Sequence, residues 1–160
     1  MTSSQKEVFL VLLNIRSAEN VGAIFRTADA AGVSKIYLIG YTPAPVDDFK
    51  RPNPKIAKAA LGAEKTLPWE TRKTIDPLLR EIKKNNFQII AIEQAENSVD
   101  YKKVKINHPV CFIVGNEVEG LPKSVLNKGD VVAEIPMKGK KESLNVSVAT
   151  GIALFRLLNV

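Results

Sequence analysis

The feature that most restricts the fold of this chain is a series of short apolar runs with little polar interruption. They are Val8–Leu13 (VFLVLL), Lys35–Ile39 (KIYLI), Phe87–Ile92 (FQIIAI), Val110–Val114 (VCFIV) and Val131–Ile135 (VVAEI). A strand with one face in water alternates apolar and polar residues. A run that is apolar at successive positions is covered on both faces, as in a parallel sheet sandwiched between helices. Helix signals fill the intervals. VGAIFRTADAA reads as a helix with Asn20 as its N-cap and Gly32 just past its end. Asn53–Pro54 opens a second helix that Gly62 stops, Asp76–Pro77 repeats that start signal for LLREIKKN, and Leu121–Pro122 begins a short helix closing at Gly129. Strands alternating with helices predict an α/β fold with a mostly parallel sheet flanked by helices. In such sheets ligands sit beyond the carboxyl ends of the strands, so the turns after Leu13, Ile92, Val114 and Ile135 form the candidate site. Residues 1–160 read as a single domain, with no repeat, linker or accessory RNA-binding module.

The last stretch, EIPMKGKKESLNVSVATGIALFRLLNV, carries the strongest packing signal. Pro136 ends the preceding strand, and Ser143 is placed to cap a helix. Leu144, Val148, Ile152 and Phe155 cover one face of that helix, while Val146, Ala149, Ala153 and Leu157 fill another. A helix this apolar around its circumference is buried on more than one side, in a core or at a subunit interface. Ser143 and Asn145 stand at its start, where first-turn N–H groups suit a polar or anionic ligand. A capped core helix and a ligand-binding helix start both remain open on these residues alone.

Composition narrows the partners. The chain has 23 basic and 17 acidic residues, a net charge of +6, which favours a polyanion, nucleic acid before membrane. Cys111 is the single cysteine, so no internal disulfide forms and a reducing cytoplasm is the expected setting. Its place within VCFIV predicts a buried, inert thiol. One histidine, His108, and no cysteine cluster leave no expected metal site. No signal peptide and no apolar stretch of membrane-spanning length is visible, so no membrane partner is expected.

Gly115–Gly120 (GNEVEG) follows a strand and precedes a helix, but the lysine of a phosphate-binding loop is missing after its second glycine. Its two carboxylates would repel a triphosphate, and no G-x-G-x-x-G follows the first strand. What remains is three separated segments: NVGAIFR (Asn20–Arg26), IVGNEVEGL (Ile113–Leu121), and IPM followed by SLNVSVA (Ile135–Ala149). Together and in this order they resemble the three signature motifs of the SpoU/TrmH family of RNA ribose methyltransferases, within the SPOUT class.

That resemblance spans Val8 to Leu158 and implies a SPOUT fold with a C-terminal deep trefoil knot, a homodimer with the knots near its interface, and S-adenosylmethionine as cofactor without a metal. By position it implies that the cofactor is held by Ile92 and Glu93, by the turn Gly115, Asn116 and Glu117, by Ile135 and Met137, and by Ser143 and Leu144. Asn116 is given no role beyond its place in that turn. The implied catalytic set is Arg26, Asn20, Glu117, Ser143 and Asn145. A free guanidinium stays protonated, so Arg26 as a literal base needs a strongly perturbed setting; clamping the phosphate beside the target ribose is the conservative role. The chain resembles minimal members of the family, which makes tRNA the favoured substrate over rRNA. A catalytically silent RNA-binding knot protein, or a methyltransferase acting on a base or a protein, is the alternative. Lys50, Arg51, Lys55, Lys58, Lys138, Lys140 and Lys141 are candidate phosphate contacts.

Overall fold

The computed structural model describes residues 6–160. In chain order the elements are β1 (Val8–Leu13), α1 (Ala18–Ala31), β2 (Lys35–Ile39), α2 (Pro54–Ala60), α3 (Ala63–Thr66), β3 (Trp69–Arg72) and α4 (Asp76–Lys84). There follow β4 (Gln88–Ile92), β5 (Val99–Asp100), β6 (Val110–Val114), α5 (Lys123–Leu126), β7 (Val131–Glu134) and α6 (Val146–Leu157). The strands form one seven-stranded sheet in the order β3-β2-β1-β6-β4-β7-β5. Every pairing is parallel.

The continuous apolar runs are explained by two helical layers. Successive strand side chains point to opposite faces, and both faces are covered. Leu10, Leu12, Ile36, Leu38, Ile90, Phe112 and Val114 pack with residues of α1, α2 and α6. Val11, Tyr37, Ile39, Ile89, Cys111 and Ile113 pack with α4 and α5 on the other side. Burial pushes the Cys111 thiol well above its ordinary pKa, which leaves it protonated and unreactive. The strand order runs outward from β1 in one direction through β2 and β3, and in the other through β6, β4 and β7. Beyond the carboxyl ends of β4, β6 and β7 a cavity opens, bordered by the segments that follow those three strands; the turn after β1 does not line it.

Two helix starts differ from the sequence expectation. α1 begins at Ala18 with Ser17 as N-cap, its hydroxyl accepting from Asn20 N at 3.1 Å. Asn20 is therefore not the cap. Ala18 and Glu19 extend the helix forward, because alanine propagates a helix well and a carboxylate suits its positive end. α6 begins at Val146 with Asn145 as N-cap, its Oδ1 accepting from Ser147 N at 2.8 Å and Val148 N at 3.4 Å. Ser143 lies in the preceding loop; asparagine caps at least as well as serine and stands directly before the apolar run. The strands β3 (WETR) and β5 (VD) carry no apolar run, being the two edges of the sheet. Edge strands need not be buried on both faces, so they escape that signal.

α1 lies between its neighbours at close range. A Cβ at Gly22 would come within 2.6 Å of the Ile56 carbonyl oxygen and 2.7 Å of Ala59 Cβ, so only glycine lets α1 and α2 meet there. On α6, Ala153, Leu154 and Leu157 are buried against the sheet and α1. Its other face stays open: Val148 is 49% exposed, and Ile152 and Phe155 are each 37% exposed. Those three recur at i, i+4 and i+7, a single apolar stripe. Among the described residues no helix is long and apolar enough to cross a membrane.

Candidate active site

Three polar side chains from three separate segments meet beyond the carboxyl ends of β1 and β6. Glu117 sits in the loop after β6 and reaches back to the start of α1. Its Oε1 accepts from Arg16 N at 2.9 Å, and its Oε2 accepts from Ser17 N at 3.0 Å and from Asn20 Nδ2 at 3.1 Å. Burial works to raise the Glu117 pKa, but the Arg16 and Ser17 N–H groups and the Asn20 amide outweigh it, and the carboxyl is held below its ordinary value. Asn20 Oδ1 in turn accepts from Asn145 Nδ2 at 3.2 Å. Asn145 Oδ1 caps α6 and also accepts from Ser147 Oγ at 2.6 Å. A continuous hydrogen-bonded relay thus joins residues spanning more than a hundred sequence positions.

Beside this relay lies a cavity of about 350 Å³, within the range of small-molecule sites. Ile92, Glu93, Gly115, Asn116, Glu117, Ile135, Met137, Ser143 and Leu144 all line it. Val114, Ile135, Leu144 and Ala149 give it apolar walls, while Glu93, Glu119 and Glu142 give it acidic ones. The loop Met137–Leu144 borders one side with its two ends, Met137 at one and Glu142, Ser143 and Leu144 at the other. Among the described residues its backbone makes no hydrogen bond to the rest of the chain, so its donors and acceptors are available to a ligand. Glu93 fastens the opposite side, its Oε2 accepting from Leu121 N at 3.0 Å. Gly120 holds φ +68°, and a Cβ there would run into the Glu93 carboxylate, so the turn needs glycine on both counts.

Not every residue of the expected set converges. Ser143 and Leu144 border the cavity, but the Ser143 hydroxyl makes no hydrogen bond to the described residues. Arg26 is exposed on α1, makes no side-chain hydrogen bond or ion pair among the described residues, and does not line the cavity. It lies one helical turn beyond Gly22, the point of closest approach to α2.

Two further residues support the site. Asn116 is buried and spends its side chain fully: Nδ2 donates to Asn14 O at 3.0 Å and to Tyr41 Oη at 2.9 Å, and Oδ1 accepts from Val118 N and Glu119 N, each at 2.8 Å. It welds the turn after β6 to the ends of β1 and β2. An asparagine opening a turn is a legible signal; nothing in the sequence marks Tyr41. Among the described residues no group of His, Cys, Asp and Glu is arranged to hold a metal ion.

A family model described as the SpoU rRNA Methylase family matches residues 7–155. The tRNA (guanosine(18)-2′-O)-methyltransferase of Aquifex aeolicus (strain VF5) is 34% identical over 155 residues, covering 94% of this chain and 68% of its own length. The 23S rRNA (guanosine-2′-O-)-methyltransferase RlmB of Ralstonia nicotianae is 35% identical, covering 92% of this chain and 57% of its own. The AdoMet-bound rRNA methyltransferase of Sinorhizobium meliloti superposes with a TM-score of 0.82 at 32% identity, over 99% of this chain and 58% of that one. The chain therefore spans roughly three-fifths of the length of several relatives it matches, 57% to 62% for two of the curated ones.

Proposed function

We propose that this chain, which belongs to the SpoU rRNA Methylase family, is an S-adenosylmethionine-dependent RNA 2′-O-ribose methyltransferase. The observation that carries the reading is the relay from Glu117 through Asn20 to Asn145, which brings the three separated signatures together at the rim of one cavity. S-adenosylmethionine fits the cavity's chemistry: apolar walls for an adenine, unpaired loop backbone for its polar ends, and carboxylates near a cationic sulfonium. When bound, it supplies an electrophilic methyl group. The residues that would hold it are Ile92, Glu93, the Gly115–Glu117 turn, Ile135, Met137, Ser143 and Leu144.

The chain's own contribution is positioning. Glu117 fixes the start of α1, and through Asn20 and Asn145 it fixes the start of α6, so the groups facing the ribose are set before RNA arrives. Arg26 presents a guanidinium on the RNA side, where clamping the phosphate next to the target ribose would orient its 2′-hydroxyl for in-line attack. The hydroxyl would lose its proton to solvent water as its oxygen takes the methyl group, the O–CH₃ bond replacing an S–CH₃ bond whose electron pair stays on sulfur.

The relatives' activities divide between tRNA and 23S rRNA. tRNA is favoured because the Aquifex relative, of which this chain covers the larger share, is a tRNA enzyme. We place the protein in the cytoplasm as a homodimer. The exposed Val148–Ile152–Phe155 stripe supports that state, since apolar surface of this kind is stable when covered. The segment that leaves β7 and shares a cavity with the Gly115–Gly120 loop before reaching α6 supports a C-terminal trefoil knot. Nucleoside mass spectrometry of total RNA from a deletion strain tests the reading. One missing 2′-O-methyl nucleotide is expected and would name the substrate; unchanged ribose methylation throughout would refute it.

A further inference from the structure

The loop that follows Tyr41 is not used by the site just described. This segment joins β2 to α2, so both of its ends are tied to the site. At one end the Tyr41 hydroxyl is held by Asn116 in the turn after β6, while 57% of the residue stays exposed. At the other, α2 packs on Gly22 of α1, two residues from Asn20. Between them the chain folds back on itself, with Val46 bridged to Pro52. Asp47 locks the tip: Oδ1 accepts from Phe49 N and Arg51 N, each at 2.9 Å, and Oδ2 accepts from Arg51 Nε at 2.6 Å.

The locked tip holds Phe49 outward, 79% exposed. A large aromatic ring in water has no folding role to explain it. The Arg51 guanidinium lies 5.0 Å from the ring centroid on one face, which leaves the other face open. Lys50 stands beside it with φ +60°, and Lys55 and Lys58 follow on the first turns of α2. A groove of about 720 Å³ lies beside the tip, bordered by Arg51, Asn53, Lys55 and Trp69 together with Asp47 and Asp48. Asp47 is held ionised by the Arg51 and Phe49 backbone and side-chain hydrogen bonds, so its charge is already matched. Asp48 beside it has no ion-pair partner among the described residues.

We propose that the Tyr41–Lys55 segment is a docking surface for an unpaired RNA strand, with Phe49 as a base-stacking platform and Lys50 and Lys55 as phosphate contacts. Interleaved aromatic and basic side chains on a preformed loop match the chemistry of a single strand: every base offers a flat π-face, and its phosphates seek cations. A duplex hides its base faces and would gain only the charge term. Arg51 behind Phe49 adds a cation–π contact that fixes the ring for stacking on its free side. The proposal rests on the RNA-directed reading above and sharpens it: the target ribose would lie in a loop or an unpaired segment.

The test uses the full chain, a fluorescein-labelled single-stranded oligouridylate, and a duplex RNA of equal length. Phe49→Ala should weaken single-strand binding by about tenfold, within the span measured for loss of one base–aromatic stack, and should leave duplex binding nearly unchanged. Phe49→Trp should restore it, which a merely structural role would not produce. Lys50→Gln with Lys55→Gln should flatten the log Kd against log salt slope by about 1.4, two phosphates' worth for a single strand. Cofactor affinity, read by calorimetry, should not move in any of these variants. A change below about twofold for Phe49→Ala, or an equal loss on duplex and single strand, overturns the proposal. Should the parent protein methylate RNA while Phe49→Ala binds unchanged, the surface is wrong and the enzymatic reading stands. Should it bind the strand through Phe49 yet methylate no RNA, the enzymatic reading fails and the surface stands. No binding of RNA by the parent protein removes both.

Discussion

Glu117→Gln changes almost no volume and removes one charge. The carboxylate serves three donors with two oxygens: Arg16 N on one, Ser17 N and Asn20 Nδ2 on the other. Glutamine offers a single oxygen. If that oxygen faces Ser17 and Asn20, its NH₂ meets the Arg16 N–H, donor against donor; the opposite orientation strands two donors. A hydrogen bond to a charged group is worth about 1.5–3 kcal/mol and a neutral one about 0.5–1.5. Losing one and weakening two, at a half-buried site where water recovers part, costs about 3 kcal/mol. For a chain of this size each kcal/mol moves Tm by about 2–4 °C, so Tm should fall by roughly 6–12 °C. Methyl transfer should fall by about 100-fold, the scale of misplacing a positioned group. The pH dependence carries the sharper test. The folded carboxyl titrates below its ordinary value, so its stabilisation is fully present above the unfolded pKa of about 4.3. It is lost as pH falls through the lower folded value. The Tm gap between the two proteins, read by calorimetry, should be full near neutrality and shrink progressively as pH falls below the unfolded value and through the lower folded one. An equal gap at neutrality and in acid, or no gap at either, would refute the clamp.

Arg26→Ala should leave S-adenosylmethionine affinity nearly unchanged while cutting methyl transfer by about 100-fold or more, and Arg26→Lys should not rescue it, since a point charge does not reproduce a guanidinium fork. Parallel loss of cofactor binding and activity, followed by calorimetry and a transfer assay on bulk tRNA, would put Arg26 in the cofactor half of the site instead. Phe155→Asp places a carboxylate in the exposed α6 stripe and should give monomeric or insoluble, inactive protein. Light scattering that finds the parent protein monomeric at micromolar concentration would contradict the dimer.

The sheet and its layers were legible because burial on both faces leaves a one-dimensional trace: a run such as VCFIV has little other use than as a central parallel strand. The edge strands left no such trace, since in WETR only Trp69 packs on the core while Glu70 and Arg72 pair with Lys35 and Glu81 at the surface. The sequence places the cap three residues too late at α1 and two residues too early at α6. Ser17 and Asn20, or Ser143 and Asn145, are equally good caps by type, and only tertiary contact decides which is released for other work. At the site, the family resemblance marked Asn20, Glu117 and Asn145, but no spacing rule says that they touch. Their meeting depends on which strands neighbour which, a non-local fact. For the same reason Tyr41 carries no sequence signal, and Asn116 is expected in the cofactor turn but not as a clamp: its partners at Asn14 and Tyr41 come from two other strand ends.

The relay has a direction, and the direction says what the site can meet. Glu117 is acceptor only when ionised, so Asn20 must turn its NH₂ toward it and its oxygen away. That oxygen can then be satisfied only by a donor, which the Asn145 NH₂ supplies, and Asn145 must turn its own oxygen to the N–H groups that begin α6. One carboxylate therefore sets the orientation of two amides and ties them to two helix starts, with no ambiguity left for either side chain to flip. What remains unspent is one N–H on each Asn Nδ2. These are donors, suited to oxygens that carry or develop negative charge, such as those of a ribose and its phosphate. Protonating Glu117 would reverse its end of the chain and unset both amides together. Its depressed pKa comes from the same hydrogen bonds, and it extends the relay's single direction below the ordinary carboxylate range.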